Sequence, residues 1–383
     1  MTRVKKDGHE PRLLPSSKFS SLFEALTRRG YDVIGPKVRD GAIVLDRMQS
    51  AEELPIGWTD EQSPGHYRLK RREDQAFFGF AAAAQSWKKY FLPSDARVWS
   101  AERSNGSFHI LNNDVPPPRP LALLGVRPCD LAAIAIEDRV LMQDHYVDSE
   151  YANRRQGAFI VVAQCTHAAP TCFCASLTSG PASKPGFDLA ITELLEPSDI
   201  HAFVIHAGSA KGAELLSELE TQPATSEDLR RESELMENAK QSQVRKLDLR
   251  GLKEFASKKF DDDCWDKIVA RCLTCGNCTM SCPTCFCSTI EDTSDITGNR
   301  VDRWRRWDSC FTLSFSYIHG GSVRTSTKSR YRQWLTHKLV SWVDQFGMPG
   351  CVGCGRCITW CPVGIDLTES VHTIQEGKNN GDA

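Results

Sequence analysis

Two stretches of the chain have the residue types and spacing to do redox chemistry. Residues 272–283 read CLTCGNCTMSCP, and residues 351–362 read CVGCGRCITWCP. Both follow Cys-x-x-Cys-x-x-Cys-x-x-x-Cys-Pro, a spacing that suits a cubane of four irons and four sulfides, because one short loop can wrap three of its corners. The triplets are Cys272, Cys275, Cys278 and Cys351, Cys354, Cys357. Gly276 and Gly355 share one slot in the two loops, where a residue without Cβ lets the backbone pass close and aim amide hydrogens at sulfur. The fourth cysteine, Cys282 or Cys361, comes four residues after the third, one turn on if a helix starts there.

In two-cluster ferredoxins that fourth cysteine ligates the other cluster. The expected ligand sets are therefore Cys272, Cys275, Cys278 and Cys361 for one 4Fe–4S cluster, and Cys351, Cys354, Cys357 and Cys282 for the other. Structural zinc also takes four cysteines, usually as two Cys-x-x-Cys pairs. Three ligands at three-residue spacing followed by Cys-Pro, twice in one chain, fit that poorly.

The chain has 16 cysteines, so half lie outside these sets. Cys129, Cys165, Cys172 and Cys174 fall in the first half, where Cys129 sits at the junction of a strand and a helix N-terminus. The segment PTCFCAS (170–176) is echoed by PTCFCST (283–289), directly after the first motif. Cys129, Cys165, Cys172 and Cys174 form a candidate extra metal site. The plainer reading is that buried cysteine packs as a small apolar residue. Cys285 and Cys287 have no assigned role, and Cys310 in WRRWDSC is expected to stand behind the ligands rather than among them.

The elements that must position these residues divide into an α/β (α+β) N-terminal domain and a mostly α-helical, ferredoxin-like dicluster domain. The expected boundaries are 1–208 for the mixed domain, 209–262 for a helical linker, 263–375 for the dicluster domain and 376–383 for a tail. SSKFSSLFEALTRRG reads as an amphipathic helix with Phe19, Leu22, Phe23 and Leu26 on one face, stopped by Gly30. YDVIGPKVRDGAIVLDRM reads as two strands around Asp-Gly, and PGHYRLKRREDQAFFGF as a further hairpin. LALLGV, AFIVVAQC and HAFVIHAG read as buried strands. LAAIAIEDRVLM reads as a helix with Asp130 as its N-cap, and FDLAITELL as helical. KSRYRQWLTHKLVSWVDQFG is the main helix of an expected helical elaboration between the motifs, with Tyr331, Trp334, Leu335, Lys338 and Trp342 along one stripe.

Net charge of −2 gives no bias toward nucleic acid or a membrane surface. No apolar run approaches a membrane span of ~20 residues, and the N-terminal residues have no apolar core of a signal peptide. Thiols reserved for clusters suit a reducing cytoplasm. Between Arg300 and Lys338 the formal charge is +7, which reads either as a docking or cluster-tuning patch or as a solvated face. No G-x-G-x-x-G or Walker loop opens a helix, so nucleotide chemistry is absent from the obvious places.

The strings GVRPCDLAAI, PTCFCASLTSGP, CGNCTMSCPTCFC, RRWDSC and CVGCGRCITWCPVGID resemble the beta subunit of cytosolic heteromeric nickel–iron hydrogenases. That family includes the sulfhydrogenases and is related to the electron-transfer subunit of anaerobic sulfite reductases. The resemblance covers residues 120–370, and PGHYRL and SWKKYFLP extend it toward the N-terminus. It implies two 4Fe–4S clusters on the eight motif cysteines. It also implies transfer of electrons between the small and large nickel–iron hydrogenase subunits and a flavin-bearing, NAD(P)-binding subunit, with sulfite reductase subunits as the alternative partners. The Arg-x-Cys-x-x-Cys and Asp-Pro-Cys-x-x-Cys pairs expected in a nickel–iron catalytic subunit, however, are missing, so the chain is expected to conduct electrons rather than split hydrogen. A self-sufficient flavin and iron–sulfur oxidoreductase is the competing reading.

Overall fold

The computed structural model describes residues 10–111, 119–143, 145–195 and 201–376. The expected tail beyond residue 376 lies outside them, as does most of the proline run at 116–120. Segments up to residue 223, most of them apolar runs, build one mixed sheet. Its order is Gln222–Pro223, Arg12–Pro15, His201–Ala207, Leu189–Leu195, Phe159–Ala163, Leu121–Val126, Asp32–Arg39 and Ala42–Arg47. The central strands Leu121–Val126 and Phe159–Ala163 pair in parallel and are almost wholly buried, as continuous apolar runs must be when both faces are covered. Helix Phe19–Arg28 lays Phe19, Leu22, Phe23 and Leu26 into the main core. Asp40 and Gly41 both adopt positive φ and close the expected hairpin.

Three sequence readings are corrected. Residues 189–195 form a strand, not a helix. Leu, Ala and Glu favour a helix locally, but here the segment is buried on both faces between two strands, and its polar side chains are paired. Thr192 donates to Glu232 (2.6 Å), and the Glu193 carboxylate accepts the backbone N–H groups of Phe77 and Phe78 (2.8 and 2.9 Å). Asp130 is not the N-cap of helix Pro128–Leu141. Proline at the first position starts that helix from Arg127, and Asp130 lies inside the first turn.

The interval between the cysteine motifs is not helical throughout. Ser288–Ser294 and Arg300–Trp307 form a hairpin whose second strand pairs with Asp95–Ser104, giving a four-stranded sheet completed by Ser107–Leu111. Tyr317–Ile318 and Gly321–Ser322 add a second, short hairpin, and only the main helix matches expectation, Thr327–Thr336 running through a π-turn at His337–Ser341 into Trp342–Phe346 and ending at Gly347. Tyr331, Trp334, Leu335, Lys338 and Trp342 are all buried. No helix among the described residues is long and apolar enough to cross a membrane.

The basic interval folds into ion pairs with other segments. Arg303 meets Asp292 (2.7 Å), Arg306 meets Asp95 and Glu291 (3.1 and 2.7 Å), Lys328 meets Asp266 (2.7 Å), and Arg305 bridges to Asp148 and Glu150. Most of the excess charge counted along the sequence is thereby matched in space.

Candidate metal centres

The two cysteine loops repeat in geometry as well as in sequence. In the first, Thr274 takes a left-handed φ and donates its N–H to Cys272 Sγ (3.5 Å). Gly276, at φ +76°, then starts the short helix Asn277–Met280 that carries Cys278. In the second, Gly353 donates to Cys351 Sγ (3.5 Å), and Gly355, also at φ +76°, starts Arg356–Thr359, which carries Cys357. Backbone donors aimed at cysteine sulfur are what a negatively charged thiolate cluster requires. Ile365 supplies another, its N–H donating to Cys361 Sγ (3.3 Å).

Cys272, Cys275, Cys278 and Cys361 line one cavity of about 30 Å3, which Cys357 of the second triplet also touches, walled by Phe311, Tyr331, Trp334 and Ile365. The fourth cysteine of the second motif thus stands with the triplet of the first. Cys282 lies close to both triplets, its sulfur acting on Cys278 as well as on the second loop. Burial pushes the Cys354 and Cys357 thiols up and Cys351 to about 12, and in each case the Cys282 sulfur adds to the effect of burial. Among the described residues, no three His, Cys, Asp or Glu side chains converge as ligands of a single metal ion would. Sulfurs held apart around a cavity fit a cluster body better than one zinc.

Sequence reading missed Lys338 as a site residue. Its Nζ is buried and donates to Cys282 Sγ (3.3 Å), Thr284 Oγ1 (3.0 Å) and the Gly350 carbonyl (2.8 Å). Burial opposes its charge, but the neighbouring Cys282, Cys285 and Cys351 sulfurs outweigh burial and hold the ammonium protonated. The signal was present as one cation inside an otherwise apolar stripe. Asp130 and Arg356 were missed too. They form an ion pair (2.9 Å) that is almost wholly buried and ties the second loop to helix Pro128–Leu141.

The remaining cysteines gather in two further places. Cys285, Cys287 and Cys310 line a cavity of about 400 Å3 beside Lys338, His337 and Trp342. The Cys310 thiol donates to Cys287 and draws it down to about 7. Cys129, Cys165, Cys172 and Cys174 line a third cavity. Cys264 packs with Trp265 and Leu252 in the core beneath the first loop.

Comparison with known proteins agrees with this arrangement. Residues 271–365 match the family model of a 4Fe–4S dicluster domain. The chain is 30% identical over 371 residues to sulfhydrogenase 2 subunit beta of Pyrococcus furiosus, covering 95% of this chain and 98% of that protein. No solved structure matches it. With identity at that level along nearly the whole of both chains, and with its cysteines gathered in cluster-binding loops, this protein belongs to the sulfhydrogenase beta-subunit family and is an iron–sulfur electron-transfer subunit.

Proposed function

We propose that the chain carries two 4Fe–4S clusters with crossed ligands. Cys272, Cys275, Cys278 and Cys361 hold one, and Cys351, Cys354, Cys357 and Cys282 hold the other. The observation that carries this reading is the cavity that brings the first triplet together with Cys361, with Cys357 also on its wall. Bound there, the clusters supply one-electron exchange at a potential set by ligation, hydrogen bonding and burial. The protein's own residues hold the sulfurs, direct N–H groups at them and exclude water from the second loop. The exposed Cys275 leaves one edge of the first cavity at the surface.

In the cell this protein passes electrons between nickel–iron catalytic subunits and a flavin-bearing, NAD(P)-binding subunit in the cytoplasm. The support is the name of the Pyrococcus relative, one component of a sulfhydrogenase. Anaerobic purification with quantitative iron, sulfide, zinc and flavin analysis, retaining co-purifying chains, tests it. The expected result is at least about eight irons and eight sulfides per chain, no flavin on this chain, and a flavoprotein with a nickel protein alongside. Zinc without sulfide would sink the cluster assignment, and flavin on the isolated chain would sink the conductor assignment.

A further inference from the structure

We propose that Cys129, Cys165, Cys172 and Cys174 hold a third iron–sulfur cluster, of the cubane type, where the α/β part of the chain meets the second cysteine loop. The four come from three separate segments. Cys129 lies in the first turn of helix Pro128–Leu141, Cys165 just after strand Phe159–Ala163, and Cys172 and Cys174 in the loop that follows. All four line a single small hollow of about 20 Å3, so that a cluster entering it would spread the thiols apart. Cysteines two apart would point to the same face of an extended strand, but only with their loop held straight. Here Phe173 bends the chain (φ −145°, ψ 27°) and packs into the core of Trp265 and Phe311, and Cys172 and Cys174 both line the cavity.

Packing alone does not account for this arrangement. Three of these thiols do pack against apolar neighbours, but thiols used only as small apolar residues have no reason to meet, whereas these four, from three segments, face one hollow. The cavity wall also includes Arg127, which is 3% exposed. Its terminal nitrogens donate to the carbonyls of Phe78, Phe80 and Gln164, but its Nε has no hydrogen-bond partner. A buried guanidinium with an unused donor beside a hollow calls for an anion there. Gln243 Nε2 already donates to Cys174 Sγ (3.2 Å), as donors do around cluster thiolates. Four thiolates in such a place would repel one another without a cation between them, and an iron–sulfur core supplies the compensating charge. Their sulfurs do not converge on one point, which favours a cluster over a zinc ion.

The site abuts the second loop directly. Cys354 lines the same cavity, Phe173 donates its N–H to the Gly353 carbonyl (2.9 Å), and Ser179 Oγ donates to the Val352 carbonyl (2.7 Å). None of its four cysteines is shared with either motif, so the ligand set stands apart from the crossed assignment.

The test compares the full-length chain, purified anaerobically, with its C172S/C174S double variant. Iron, sulfide and zinc are counted per chain, and EPR and Mössbauer spectra are recorded. The expected difference is a loss of about four irons and four sulfides, with the signals of the motif clusters retained. Equal iron and sulfide in the two proteins would overturn the proposal, and so would loss of zinc with iron unchanged. Cys165 is the least buried of the four, so C165S serves if the double variant does not fold. It should lose at least one iron per chain and gain an altered EPR signal, and an unchanged iron count and spectrum would overturn the proposal equally. Failure of the crossed assignment would instead appear in variants of Cys282 or Cys361.

Discussion

The sharpest test of the crossed arrangement lies at Cys282. It sits four residues beyond Cys278 and acts on it, but its sulfur also bears on Cys351, Cys354 and Cys357. Cys282→Ser is expected to alter the EPR signal and potential of the cluster on the 351–357 triplet more than those of the cluster on the 272–278 triplet. Loss of only the latter signal would refute the crossing. Lys338 allows a finer test, because its ammonium donates to the Cys282 sulfur from within the core. Reduction adds negative charge, so a fixed cation and donor beside a ligand favour the reduced state. Lys338→Met should therefore lower that cluster's potential by on the order of 50 mV, the equivalent of about 1 kcal/mol for one electron. Redox titration followed by EPR measures it, and a potential that holds or rises would show that the ammonium does not tune the cluster. The eight motif cysteines were legible in sequence because ligand spacing within a loop is local. Lys338 was not, since its role depends on burial against a cysteine 56 residues away.

At the scale of elements, local pattern carried as far as local structure did. Helix Phe19–Arg28 and the Asp40-Gly41 hairpin follow from periodicity and turn chemistry that neighbours in sequence enforce. Strand Leu189–Leu195 and the 288–307 hairpin were lost because their own residue types do not carry the strand pattern and neighbouring strands decide them. The strand is decided by the strands on either side of it, and Arg300–Trp307 by pairing with a strand some two hundred residues earlier. The matching glycines of the two loops show the same split between local and distant constraint. Both sit at φ +76°, so alanine at either strains the backbone by about 1–2 kcal/mol. A Cβ on Gly276 would come no closer than 3.1 Å to Ser309 Oγ, while one on Gly355 would lie 2.4 Å from the Thr171 backbone carbonyl. Gly355→Ala should thus lower the urea midpoint of the holoprotein clearly more than Gly276→Ala. Equal shifts would show that the second loop is not pressed against residue 171.

At the scale of the molecule, the second cysteine loop is as much a part of the α/β core as of the dicluster domain. Arg356 is 1% exposed and is held by Asp130 (2.9 Å) and the Ala83 carbonyl (2.8 Å). Thr359 donates to Gln62 (2.8 Å), Gly65 donates to the Ile358 carbonyl (3.1 Å), and Tyr67 stacks on Trp360. The hairpin at 288–307 takes its sheet partner from Asp95–Ser104. A boundary near residue 262, which composition suggests, therefore separates segments that share one seam rather than two bodies that fold alone. Removing one partner of a buried ion pair leaves an uncompensated charge at about 3–5 kcal/mol, comparable to a large part of a domain's stability. Residues 263–383 produced without the rest would strand Arg356 in that way and leave Arg300–Trp307 as an open sheet edge. That fragment is expected to aggregate and to retain little iron. Co-production with residues 1–262 should restore a soluble complex with the iron content of the intact chain, and Asp130→Ala in the longer fragment should weaken that complex. A fragment that folds alone and holds its full complement of iron would show that the seam is a contact between independent domains.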